Sequence, residues 1–197
     1  MFDIVTLVQA AGYVGLTAIV FAESGLFFGF FLPGDSLLFT AGFLASQGLL
    51  DMAPLVFLLF VAAVAGDTVG YWFGKKIGRS IFSRPQSRFF NPAHIVRTQH
   101  FFERYGKKAI VLARFVPIVR TFTPIMAGVG TMPYPTFAAY NIAGGFLWVV
   151  GMTLGGYFLG QVVPHADRYV EVIVIGIIVV SLIPIVREYL QMRRGYR

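Results

Sequence analysis

The chain contains no cysteine and only three histidines. The first absence excludes disulfides and thiolate metal sites. The second leaves no three-ligand metal spacing, with His94 and His100 in one segment and His165 far from both. No glycine-rich nucleotide loop and no Ser-His-Asp arrangement stands above chance, so no cofactor is expected. Charge is scarce as well: Asp, Glu, Lys and Arg make up 13% of the 197 residues, against roughly a quarter in ordinary soluble domains. The opening segment, Met1 to Gly12, lacks the basic stretch that begins a cleaved signal peptide, and it is expected to be retained.

What is present instead is apolar. Hydrophobic residues reach 57% and the mean hydropathy is +0.74. These values point to an all-α integral membrane protein, with residues 1–197 forming one membrane domain. A hydrocarbon core about 30 Å thick is crossed by roughly 20 helical residues. The chain therefore holds several crossings joined by short connections.

The net charge of +7 is unevenly placed. Nine Lys or Arg lie between Lys75 and Lys108 against the single acid Glu103, and four more lie between Arg187 and Arg197. Such segments stay cytoplasmic and set the orientation of the whole chain; they also suit anionic lipid headgroups. This pattern argues for the bilayer as partner and against nucleic acid. It predicts both termini in the cytoplasm and four spans: Ile4 to Ala22, Pro54 to Gly74, Phe137 to Leu159, and Tyr169 to Val186. Pro164 to Arg168 forms the short outer turn. Between the halves, Asn91 to Gly106 reads as a short amphipathic helix with His94 and His100 at its surface.

Two apolar stretches fit no simple span. Ser24 to Ser46 is interrupted at Leu32-Pro33-Gly34, and Lys108 to Met132 at Pro117 and again at Pro124. Proline removes a backbone donor and clashes with the preceding turn, while glycine permits angles that other residues avoid. Each stretch must also begin and end on one side if the basic segments are cytoplasmic. Both are therefore expected to be re-entrant helical hairpins, the first entering from outside and the second from inside. Broken backbone at membrane depth survives only where protein buries it or a wet cavity solvates it.

The halves also resemble each other. A shift of 86 residues superposes Ala41-Gly42 on Ala127-Gly128, and Gly70-Tyr71 with Gly74 on Gly156-Tyr157 with Gly160. Ala53, Phe60 and Val64 meet Ala139, Phe146 and Val150 in the same register. The expected organisation is a first repeat over 24–74, a cytoplasmic basic connection over 75–107, a second repeat over 108–160 and a final span over 169–186. One repeat begins outside and the other inside, the inverted arrangement of secondary transporters, whose sites lie near the bilayer midplane.

Ionisable residues within these apolar stretches are the candidates for function, because a charge at membrane depth is costly unless it is partnered. Arg114 and Arg120 flank Pro117. A bend there lets both guanidiniums converge on one anion, and the planar fork of arginine suits phosphate or carboxylate. Glu23 precedes the first hairpin and Asp35 follows its break, so both carboxyls are candidates for proton exchange or for static counter-ions. Asp35 with Ser36 also suits a helix cap. Asp67, a further candidate for proton exchange or counter-ion or else for a hydrogen bond at a helix interface, lies among Gly66, Gly70 and Gly74, whose four-residue spacing permits close helix contact in lipid.

Three segments resemble the DedA membrane proteins, relatives of the VTT-domain lipid scramblases. They are E-S-G-L-F-F-G-F-F-L-P-G-D-S from Glu23, G-D-T-V-G-Y-W-F-G from Gly66, and R-F-V-P-I-V-R-T-F-T-P-I-M-A-G from Arg114. The resemblance implies two opposed re-entrant hairpins, a bacterial inner-membrane location, and translocation of a polyprenyl phosphate such as undecaprenyl phosphate that depends on the proton motive force. It also implies that Glu23, Asp35, Arg114 and Arg120 are essential. The expected function is thus a flippase whose partners are protons and a phospholipid or polyprenyl phosphate, with a homo-oligomer left open. Rival readings are a proton-coupled antiporter of small ions or drugs and a membrane lipid phosphatase.

Overall fold

A computed structural model describes the backbone of residues 4–25, 34–82, 100 and 102–162, and the side chains of 12–25, 34–76, 100, 102–116 and 119–162. Every regular element among these residues is helical. In order they are α1 (Ile4–Gly25), α2 (Gly34–Ser46), α3 (Met52–Phe82), a 3-10 turn (Gly106–Lys108), α4 (Ala109–Ala113), α5 (Pro117–Val129) and α6 (Tyr134–Val162). Pro33, His94, His165, the outer turn and the span expected over 169–186 lie outside the described residues.

Among the described residues, two helices have the length and apolarity to cross a bilayer: Met52–Lys76 within α3, and Tyr134–Val162. At 1.5 Å per residue each exceeds a 30 Å core. The 13-residue α2 and α5 span only about 20 Å by the same rise and cannot cross. The span expected over Pro54 to Gly74 lies within α3, which runs on to Phe82. No proline follows Gly74 within α3, and lysine and arginine are good helix formers. Just past Gly74, Lys75 Nζ lies 4.9 Å from the ring centroid of Trp72, beside a cluster in which Tyr71 stacks on Phe137 at 4.7 Å. Aromatic and basic residues together are typical of the membrane–water boundary.

One correction concerns Pro124. It was expected to break the chain, but it lies inside the continuous helix α5. The interruption falls earlier: α4 ends at Ala113, and Val116 is extended (φ −122°, ψ 103°) before Pro117 opens α5. The residue before a proline is pushed out of the helical region, and proline is well tolerated in a first helical turn. Pro124 instead packs against Gly70 of α3.

Lipid offers apolar side chains as much contact as the protein interior does, so helix association depends on close packing rather than on the hydrophobic effect. Glycines supply that closeness here. A Cβ on Gly42 would strike the backbone of Thr153, and one on Gly156 the backbone of Phe39, where α2 crosses α6. Likewise a Cβ on Gly74 would strike the backbone of Ile125, and one on Gly128 that of Tyr71, where α3 crosses α5. Gly25 and Gly66 meet at the contact of α1 with α3. Around these crossings Val20, Leu38, Leu55, Leu59, Trp148 and Val149 form the main buried cluster. Large side chains such as Phe57, Phe146 and Phe158 remain on the outer surface.

Candidate functional site

The break between α4 and α5 decides where the two arginines go. Arg114 caps the end of α4 and Arg120 follows one turn into α5, so the bend turns both inward from separate helices. Arg114 Nη2 donates to Asp67 Oδ2 of α3 at 2.5 Å and to Asn141 Oδ1 of α6 at 2.5 Å. Asn141 in turn donates from Nδ2 to the carbonyl oxygen of Val64 at 3.1 Å. Gly144 and Gly145 of α6 leave room for the guanidinium: a Cβ on the first would sit 3.2 Å from Arg114 Cδ, and one on the second 3.4 Å from Nη2. The pair is enclosed, with side chains only 5% and 10% exposed.

Arg120 is held differently. It forms an ion pair with Glu23 of α1, and its Nη1 donates to Asp35 Oδ1 of α2 at 2.7 Å. Its side chain is 15% exposed, that of Glu23 2% and that of Asp35 37%. The network is therefore sealed at Asp67 and open at Asp35. Gly34 opens α2 directly against the Glu23 carboxylate, and a Cβ there would collide with that group. Gly34 thus allows the close approach of Glu23. Asp35 lies in the first turn of α2, where a carboxylate also complements the helix dipole.

One side chain joins both halves of the network. The indole of Trp148 on α6 donates from Nε1 to Asp35 Oδ1 at 2.7 Å. Its ring centroid lies 5.7 Å from Arg114 Cζ and 5.3 Å from Arg120 Cζ, within the range of cation–π attraction. Glu23, Ser24, Asp67, Arg114, Arg120, Thr121 and Trp148 line a cavity of about 10 Å³, at the lower limit for one water molecule.

The structure thus gathers five sequence-predicted residues, Glu23, Asp35, Asp67, Arg114 and Arg120, into one charged cluster. The arginines share an indole but hold different acids. Sequence reasoning missed Asn141 and Trp148. The signal for both was available: each is a hydrogen-bonding side chain inside the apolar stretch from Phe137 to Leu159, the same anomaly that singled out Arg114. His100, by contrast, lies at the surface beside Glu103 at 3.3 Å, as expected.

Comparison with known proteins places this cluster in a family. The VTT domain matches residues 32–158, a segment that holds every member of the cluster except Glu23. The chain is 46% identical over 185 residues to protein DedA of Escherichia coli, covering 93% of this chain and 84% of that one. This chain belongs to the DedA family. It is also 46% identical over 166 residues to an uncharacterized membrane protein of Mycobacterium leprae, covering 84% of this chain and 74% of the relative. A second such protein, from Mycobacterium tuberculosis, is 35% identical over 158 residues, covering 78% and 71%. No solved structure matches the chain. As a DedA-family member it is a membrane protein, in agreement with the two long apolar helices.

Proposed function

We propose that this DedA-family protein is a lipid translocase that carries a phosphate headgroup, such as that of a polyprenyl phosphate, past the bilayer midplane. The observation that carries this reading is the position of Arg120: a largely buried guanidinium shared by Glu23 and Asp35, at the open end of a charged cluster among apolar helices. A planar cation held by two exchangeable carboxylates suits a phosphate that arrives to replace one of them.

The cluster divides the work between its cations. Arg114, enclosed by Asp67 and Asn141, fixes the break between α4 and α5. Arg120 makes the headgroup contact. A cavity of about 10 Å³ admits water but no phosphate, so entry requires Arg120 to part from a carboxylate. Protonation of Asp35 or Glu23 weakens that hold, and this couples headgroup exchange to the proton gradient. The prenyl tail stays in lipid throughout, and no covalent bond changes.

The packing supports the inverted-repeat organisation on which alternating access depends. Under the 86-residue shift Gly42 corresponds to Gly128, and Gly74 to Gly160. Gly42 lies on α2 against α6, and Gly128 on α5 against α3. The short helix of each half thus packs on the long helix of the other. In this reading α2 and α5 are the inner legs of opposed re-entrant hairpins in the bacterial inner membrane, with both termini cytoplasmic.

Reconstitution tests the function. Liposomes containing the protein should exchange a prenyl phosphate between leaflets faster than empty liposomes; equal rates would refute the reading.

A further inference from the structure

We propose that the indole N–H of Trp148 is a ligand for the phosphate headgroup, and that the Asp35 carboxylate holds the seat which that headgroup takes. This rests on the reading of the cluster as an anion-translocation site. Asp35 Oδ1 accepts from Arg120 Nη1 and from Trp148 Nε1, each at 2.7 Å. Two donors from two helices, α5 and α6, converge on one anionic oxygen, the arrangement that a phosphate oxygen also fits.

The chemistry of the indole narrows what it can do. It donates and cannot accept, and Trp148 is only 2% exposed, so bulk water offers little substitute for a lost partner. A buried donor without an acceptor is unfavourable. Asp35, at 37% side-chain exposure, is the most exposed member of the network. The carboxylate is therefore the part that leaves, and the donors are the part that stays. The ring under both guanidiniums keeps Arg114 and Arg120 in place during the exchange, and Glu23 remains as the partner of Arg120. Replacing Asp35 by a monoanionic phosphate leaves the charge beside Arg120 unchanged. The shared ligand chemistry is an anionic phosphate oxygen, whether on a lipid headgroup or on free phosphate.

The chain has two tryptophans, so Trp72→Phe leaves Trp148 as the single indole. The full chain in detergent micelles, labelled with 15N-tryptophan, is titrated with farnesyl phosphate in one arm, inorganic phosphate in a second and farnesol in a third. The expected result is a saturable shift of the indole resonance with farnesyl phosphate and none with farnesol. Saturation by inorganic phosphate over the same range assigns free phosphate as the ligand; saturation by farnesyl phosphate alone assigns the lipid headgroup. Trp148→Phe, which keeps a ring and removes the donor, should weaken farnesyl phosphate binding at least tenfold. Asp35→Asn, which removes the competing charge, should strengthen it at least threefold.

An indole resonance that stays fixed while farnesyl phosphate saturates the protein would overturn the assignment. So would wild-type affinity in Trp148→Phe. Should Trp148→Phe fail to fold, the resonance in the Trp72→Phe protein decides alone. Binding lost in Arg120→Ala but unchanged in Trp148→Phe removes the role of Trp148 and leaves the proposed function standing. No binding of either phosphate to the wild-type chain removes both.

Discussion

Arg114 and Asp67 meet at 2.5 Å with side chains 5% and 10% exposed, and this enclosed pair joins the end of α4 to the middle of α3. Removing one partner of such a pair strands the other charge, at a cost of about 3–5 kcal/mol, whereas removing both together is much less damaging. Asp67→Ala should therefore lower thermal stability in detergent sharply, and Asp67→Ala with Arg114→Met should recover most of the loss. Thermal melting of the three proteins measures this. Equal destabilisation by the single and double variants would show that the ion pair is not what holds these helices.

The glycine crossings make a contrasting set. Gly42→Ala and Gly128→Ala each drive a methyl into the backbone of the facing helix, and overpacking of this kind costs about 1–3 kcal/mol or more. Gly151 lies on α6 with nothing within 4 Å of its Cβ position. Alanine there should be neutral or stabilising, by up to about 1 kcal/mol from helix propensity. Melting temperatures of the three variants should separate accordingly; a uniform response would mean that the crossings are looser than described.

Much of this was legible in the sequence because a membrane makes charge conspicuous. Glu23, Asp35, Asp67, Arg114 and Arg120 stand out against apolar neighbours, and all five meet in one cluster. The break near Pro117 was legible for a similarly local reason, since proline constrains both itself and the preceding residue. Pro124 misled because a proline inside a helix stops it only when nothing else holds the helix together, and contact with Gly70 cannot be read from local sequence. Which arginine takes which acid was also hidden. That choice depends on how α1, α2 and α3 pack around α5, and on Trp148 and Asn141, which arrive from a helix far along the chain.

Arg120 bonds Glu23 of α1 and Asp35 of α2 together, which requires a fork. Lysine offers a single ammonium with no fixed geometry. Arg120→Lys should therefore keep the fold, with melting within a few degrees of wild type, yet reduce prenyl phosphate exchange at least tenfold. Exchange measured in liposomes beside a melting curve separates the two effects. Full exchange with lysine would mean that only the charge is needed.

The most direct test asks whether the cluster recognises the anion itself. Wild-type protein and Arg120→Ala are reconstituted in matched liposomes, and leaflet exchange is measured for a prenyl phosphate and for the corresponding uncharged prenol. Wild type should accelerate the phosphate well above the rate of empty liposomes and leave the prenol at that rate. Arg120→Ala should lose the acceleration while remaining folded. Undiminished phosphate exchange by folded Arg120→Ala would contradict recognition of the anion by Arg120.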